Sequence, residues 1–183
     1  MKKYFSDYLF LAVLAGTIVA LDQWTKWLVR AKLEFSHTWV PWDWLAPYAR
    51  IINWKNTGAA FGVLQEFGGA FTILAFLVVG LILYFYPQIP RQDWSLRIAL
   101  GMQMGGAIGN LVDRLARGFV TDWISVGSFP VFNVADSCIS VGAAVLVIGM
   151  LIQERKLKAS QTASEQPPEE VGSSPELADI QNE

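Results

Sequence analysis

The stretch from Gly69 to Tyr86 contains no charged residue and no proline, and Pro87 and Pro90 stop it. An apolar segment of about 20 residues matches the hydrocarbon thickness of a bilayer, where a single segment satisfies its own backbone only as a helix. The rest of the chain supplies little to cover such a segment in water. Of 183 residues, 53% are hydrophobic and 16% charged, against roughly 25% charged in an ordinary soluble domain.

Three further apolar stretches accompany it. The first runs from Tyr8 through Leu21 and past Asp22 into Trp24-Thr25-Lys26-Trp27-Leu28-Val29. Lys2 and Lys3 before it give the look of a secretory signal peptide, but the run continues to a spanning length, so a retained first helix is expected, with Trp24 and Trp27 in an interfacial belt. The others run from about Trp94 to Leu115 and from about Val131 to Gln153. The expected fold class is an all-α polytopic membrane protein with four transmembrane helices. The spans alternate sides, which places both termini and the Arg91-Gln92-Asp93 turn together. Lys2, Lys3, Arg91, Arg97, Arg155, Lys156 and Lys158 would make that side cytoplasmic by the positive-inside rule, although seven basic residues also fall on the other side.

Residues 1–158 are expected to form the membrane domain and 159–183 a disordered acidic cytoplasmic tail. After Ala159 there are six acidic residues, no basic one and no aromatic one, too little apolar surface to offset the entropy of ordering. The body is correspondingly basic, which suits contact with anionic headgroups. Between the first two spans, residues 31–66 crowd Trp39, Trp42, Trp44, Tyr48 and Trp54 around Pro41 and Pro47. That composition suits a small, partly β-structured module in the headgroup layer, with a strand at Arg50-Ile51-Ile52-Asn53-Trp54.

Gly101, Gly105 and Gly109 recur every four residues on the third helix. In lipid this spacing lets helices approach closely, and with no preceding strand a nucleotide-binding reading of the glycines fails. Ionisable groups within membrane segments are costly and mark sites by default. Asp22 and Lys26, four apart on one helix face, form an ion pair or a cap. Asp113 is expected to pair with Arg114 and stay ionised as a scaffold. Asp122 and Asp136 have no basic neighbour close in sequence. Brought face to face across one short loop, they would share a proton near neutral pH and meet the condition for aspartic peptidase chemistry. The bland alternative is that Asp136 caps the fourth helix and Asp122 ends a turn. The one cysteine, Cys138, excludes an internal disulfide, and with a single histidine, His37, a His-Glu-x-x-His metalloprotease is impossible. Cys138 reads as packing and His37 as a solvated loop residue.

The set Asp22-Gln23-x-x-Lys26, Asn56-Thr57-Gly58-Ala59-Ala60-Phe61, Gly105-Gly106-Ala107-Ile108-Gly109-Asn110-x-x-Asp113-Arg114, Val120-x-Asp122 and Phe132-Asn133-x-Ala135-Asp136 closely resembles the bacterial lipoprotein signal peptidases, the type II signal peptidases. The five motifs stand in the family's order and span nearly the whole membrane body. The resemblance implies four membrane helices, cytoplasmic termini, and a small β-cradle plus a short periplasmic helix at the outer surface of the inner membrane. It also implies cleavage of a signal peptide just before a diacylglyceryl-modified cysteine, with no metal or organic cofactor and no nucleic-acid partner, by a monomer in contact with membrane lipid. Carried over by motif, Asp122 and Asp136 would be the catalytic dyad. Asn56, Gly58, Asn110, Asp113, Arg114 and Asn133 would line and brace the pocket, and Asp22 and Lys26 would be structural. Thr121 and Trp123, flanking Asp122, read as tolerated variation. A small ion- or proton-coupled transporter using the same carboxylates is the competing class, although transporter sites lie near the midplane within internal repeats and no repeat is present.

Overall fold

The structure, a computed structural model, describes residues 2–58 and 68–165. Its elements follow in the order α1 (Lys2–Lys32), β1 (Thr38–Trp39), β2 (Ala49–Asn56), α2 (Gly68–Phe85), α3 (Trp94–Arg117), β3 (Val120–Val126) and α4 (Val134–Glu165). Single 3-10 turns at Asp43–Leu45 and Tyr86–Gln88 punctuate the connections. Met1–Gly149 is one unit and Met150–Glu183, with the end of α4, a second.

Three stretches, Phe5–Lys32, Gly68–Gln88 and Val134–Arg155, are helices long and apolar enough to cross a membrane. Their outward faces carry large apolar side chains such as Val13, Ile73 and Leu77, all more than half exposed, as lipid-facing positions would be. Four such helices were expected. Helix α3 falls short by composition because Arg97, Asn110, Asp113, Arg114 and Arg117 interrupt it, and it turns most of that polarity inward: Arg97, Asn110 and Asp113 are buried along with four glycines.

The burial pattern explains how α3 is accommodated. On α1 the buried residues are Asp7, Leu11, Ala15, Ile18, Asp22, Lys26 and Val29, a stripe of helical period. The glycines of α3 meet that stripe. A Cβ on Gly105 would lie 2.8 Å from Ile18 and one on Gly109 2.7 Å from the Asp22 carboxylate, while one on Gly101 would overlap Leu14. Gly106 instead faces α4, where a Cβ would stand 2.5 Å from the Ala135 carbonyl oxygen. The small-residue face expected from the sequence is thus two faces, one for α1 and one for α4. At the end of the bundle bearing the N-terminus, Leu11, Ile82 and Tyr86 form an apolar cluster. Beside it the buried Asp7 pairs with Arg97 at 2.9 Å and with Arg91 at 3.0 Å.

The sheet is antiparallel in the order β1-β2-β3. The expected strand around Arg50–Trp54 is present within β2. Asp122, expected at the edge of a short loop, instead lies in strand β3, whose Val120, Thr121, Trp123, Ile124 and Val126 are the β-branched and aromatic types that fit a pleated surface. Helix α3 ends against it at Gly118, which takes the left-handed conformation with φ 77° that favours glycine at a helix end. Helix α4 starts at Val134, three residues later than expected, because Phe132 pairs with Ile124 as a further β-bridge. At its other end α4 runs to Glu165, past the Lys158 boundary drawn from composition. Residues 166–183 of the expected tail, and Ala59–Phe61 with the rest of the module to Glu66, lie outside the described residues. The described part of the module holds only the one helical turn at Asp43–Leu45.

If these contacts set the helix spacing, Gly106→Ala destabilises the protein by about 1–3 kcal/mol, the usual cost of overpacking. Gly80→Ala, with nothing within 4 Å of the added methyl, is neutral or slightly stabilising. Thermal unfolding of both variants in detergent micelles checks the difference.

Candidate active site

Asp122 lies within β3 and is 1% exposed. Alternation along the strand turns Val120 and Asp122 to one face and Thr121 to the other. On the Asp122 side, Asn56 at the end of β2 donates through Nδ2 to Asp122 Oδ2 at 2.9 Å. Asn56 has no freedom to present its amide the other way, because its Oδ1 accepts the Gly58 N–H at 3.0 Å. Asn133 donates to the second oxygen, Asp122 Oδ1, at 2.7 Å.

Asn133 and Asp136 together start α4. The Asn133 Oδ1 accepts the Asp136 N–H at 2.9 Å, and Asp136 Oδ2 accepts the Asn133 N–H at 3.2 Å. This is the reciprocal arrangement of a capping box. The orphan N–H of Ala135 donates to Asp22 Oδ1 at 3.0 Å, so a carboxylate of α1 completes the cap of α4. The cap reading of Asp136 therefore holds, and its other oxygen is still engaged elsewhere: Asn110 on α3 donates through Nδ2 to Asp136 Oδ1 at 2.8 Å.

Asn110 receives as well as gives. Its Oδ1 accepts from Asn133 Nδ2 at 3.1 Å and from Lys26 Nζ at 2.9 Å. An ammonium has donors and no acceptor, so Lys26 fixes which end of the Asn110 amide faces it and which faces Asp136. Asp136 and Asp122 are consequently joined by a chain of two asparagines, Asn110 and Asn133, whose orientations are determined at both ends. Lys26 is fully buried and also pairs with Asp22 at 2.8 Å and Asp113 at 3.3 Å, using its three donors on three acceptors. Gln23, quoted in the first motif but given no role, donates to Asp22 Oδ2 at 3.1 Å and to the Gly109 carbonyl at 2.9 Å.

The expected Asp113–Arg114 pair does not form. Successive residues on a helix point in different directions and do not face each other. Asp113 pairs with Arg117, one turn on, at 3.2 Å, with Lys26, and with Arg30 of α1 at 3.6 Å. It also accepts the Thr121 N–H at 3.0 Å. Arg114 turns the other way, with its guanidinium 5.6 Å from the ring of Phe71. Among the described residues it makes no ion pair. Sequence spacing could have shown Arg117, four residues after Asp113. Arg30 and Thr121 left no comparable signal, because only the fold brings α1 to β3.

A cavity of about 700 Å³ opens between α2, α3 and α4, within the size range of ligand sites. Asn56, Gly58, Asn110, Arg114 and Asp136 line its polar end, and Phe71, Leu74, Val78, Ile139 and Val141 are among its apolar walls. Asp136 borders the cavity, while Asp122 sits one layer behind it. Burial, and then the like charge of Asp136, push the Asp122 carboxyl up from 3.8 to about 7, against the hydrogen bonds from Asn56 and Asn133. That is the range in which a carboxyl can both hold and release a proton at neutral pH. Among the described residues no group of three His, Cys, Asp or Glu side chains is placed to hold a metal ion.

A family model described as signal peptidase (SPase) II matches residues 14–152. A lipoprotein signal peptidase of Shouchella clausii is 41% identical over 81% of this chain and 97% of its own length. One of Halalkalibacterium halodurans is 39% identical over 82% of this chain and 97% of its own. Among solved structures, one described as a bacterial membrane enzyme is 26% identical with a TM-score of 0.69, covering 77% of this chain and 92% of that one. A second with the same description superposes with a TM-score of 0.71 at 24% identity, over 87% and 93% of the two chains, which speaks for the fold. With its model matched over most of its length and its carboxylates, asparagines and lysine gathered in one network, the chain belongs to the signal peptidase II family.

Proposed function

We propose that this protein is a membrane-embedded aspartic endopeptidase that removes the signal peptide from diacylglyceryl-modified prolipoproteins, cutting before the lipidated cysteine. The observation that carries the reading is the asparagine chain joining Asp122 to Asp136 at the polar end of an apolar cavity. Both carboxylates receive N–H donors from groups whose orientation is fixed, and burial makes the ionisation of Asp122 costly, so the pair carries one proton between them at neutral pH.

The reaction then needs no cofactor. The ionised carboxylate takes a proton from water as its oxygen attacks the scissile carbonyl carbon, and the protonated carboxyl gives its proton to the carbonyl oxygen. Collapse of the resulting gem-diol breaks the C–N bond. The proton taken from water passes to the leaving amine of the cysteine, the gem-diol returns the other to the dyad, and the pair regains its starting charge. Arg114, on the wall of the cavity, would donate to a carbonyl or ester oxygen of the substrate. The walls from Phe71 to Val78 and at Ile139 and Val141 suit the apolar part of a signal peptide.

On this reading α3 is the fourth span, acceptable in lipid because its buried Arg97 and Asp113 are paired with Asp7, Lys26 and Arg30 of α1 and with Arg117 of α3 itself. Both termini then lie on the cytoplasmic side, and the sheet, with the dyad beneath it, lies at the periplasmic face of the inner membrane. Every site residue comes from one chain, so a monomer suffices. The transporter alternative gains nothing from a polar site at the ends of α3 and α4 beside a sheet.

Purified protein incubated with a diacylglyceryl-modified prolipoprotein in detergent or nanodiscs should release the signal peptide, and Asp122→Asn and Asp136→Asn should each slow release at least about a hundredfold. Cleavage by either variant at the parent rate would sink the mechanism. The same pair governs pH dependence. Folding raises the Asp122 carboxyl above its ordinary value, so its stabilising contribution is complete at low pH and is lost as pH rises from about 4 through about 7. The unfolding midpoint of the parent should therefore fall relative to that of Asp122→Asn between about pH 4 and about pH 7 and level off above. Parallel midpoint curves would place the group's titration elsewhere.

A further inference from the structure

We propose that Arg30 and Thr121 form a positioning pair that fixes the register of β3 next to Asp122. The inference rests on Asp122 being half of the catalytic pair and adds two residues that its motif does not contain.

The sheet needs such a device. Strands β2 and β3 pair in two registers separated by an irregularity between Ile51 and Trp54. Ala49, Arg50 and Ile51 stand opposite Val126, Ser125 and Ile124, whereas Trp54, Lys55 and Asn56 stand opposite Asp122, Thr121 and Val120. Between them, Ile52 and Asn53 face Trp123 alone, a bulge. Asn53 turns its backbone to the other side, accepting the Ser36 N–H at 2.8 Å and donating to the His37 carbonyl at 3.3 Å. The outer half of the sheet therefore does not dictate the register of the three pairs that include Asp122. A slip of one residue there would exchange the faces of Thr121 and Asp122 and take the carboxylate away from Asn56 and Asn133.

Thr121 is where that slip is blocked. It is completely buried, and two helices hold it. Its N–H donates to Asp113 Oδ2 of α3 at 3.0 Å, and its Oγ1 accepts from Arg30 Nη1 of α1 at 2.9 Å. Neutralising Asp113 does not account for Arg30. Lys26 and Arg117 lie closer to that carboxylate, at 3.3 and 3.2 Å, than Arg30 at 3.6 Å. The short contact of Arg30 is with the threonine hydroxyl.

The test measures kcat and KM on a diacylglyceryl-cysteine peptide carrying a donor and quencher across the bond. It compares the parent, Thr121→Val, Thr121→Ser, Arg30→Met, Arg30→Lys and the Arg30→Met/Thr121→Val double variant, with Asp122→Asn as the reference. Valine keeps the β-branched shape and removes the hydroxyl that accepts from Arg30. Thr121→Val should lower kcat about tenfold while KM changes less than about twofold, since misplacement of a reacting group weakens the transition state and not the binding of a remote lipid. Thr121→Ser and Arg30→Lys, which keep acceptor and donor, should recover most of the loss. The double variant should be no slower than the slower single, because the two act as one unit. Parent kcat in Thr121→Val, a serine variant as slow as the valine one, or losses that multiply in the double variant would each overturn the pair. Should Thr121→Val not fold, Arg30→Met, which has no donor, against Arg30→Lys carries the same comparison. If Asp122→Asn itself cleaves at the parent rate, the peptidase reading fails; if it is inactive while Thr121→Val is unimpaired, only the positioning pair fails.

Discussion

An ammonium can donate hydrogen bonds and cannot accept them, and the orientation of Asn110, which links α1 to both ends of the site, follows from placing one, Lys26, where water does not reach. Asn110 must turn its oxygen toward Lys26, and its nitrogen then points at Asp136. Asn133 is fixed separately, by the helix it caps, and Asn56 by the Gly58 N–H that its oxygen accepts. Three amides that would otherwise be free to flip are each set by a different local constraint, and all of them present N–H groups to the two carboxylates. A proton held by the pair is therefore left to the lone pairs that these donors do not occupy.

Burying such a network is expensive, and the surrounding fold is organised around making it complete. A buried charge that loses its partner costs about 3–5 kcal/mol, so Asp22, Lys26, Asp113, Arg30 and Arg117 are useful only as a satisfied set. Closure of that set requires α1, α3 and α4 to meet almost backbone to backbone. Gly109 is the point of contact: any side chain there would push on the Asp22 carboxylate and, through the Ala135 N–H, on the start of α4. The glycine face of α3 and the capping of α4 are thus parts of one arrangement, which ends in the position of Asp136.

Much of this was legible in the chain. Helical spacing put Asp22 with Lys26 and the glycines on packing faces, and the aromatic-rich stretch contained β2 where Arg50–Trp54 indicated it. Two kinds of feature were not legible. Strand β3 is short and sits between α3 and α4, and its residues fit the edge of a loop equally well; pairing with β2, a tertiary event, decides the matter. The partner of Asp113 was misassigned because adjacency in sequence suggested Arg114, whereas helix geometry sends that side chain to the cavity and leaves Asp113 to Arg117, Arg30 and Lys26. The contact between Arg30 and Thr121 is invisible in the chain for the same kind of reason. It depends on α1 reaching β3, which no local pattern records.

The claim at the centre of this account is that Asp122 and Asp136 share one proton at neutral pH. It is tested most directly by infrared spectroscopy of protein labelled with ¹³C at the aspartate carboxyls, titrated in nanodiscs and compared with Asp122→Asn and Asp136→Asn. A shared proton gives one protonated carboxyl band that disappears as pH rises through about 7 and that neither variant shows with the same midpoint. A parent protein whose aspartates are all ionised from about pH 5 upward would contradict it.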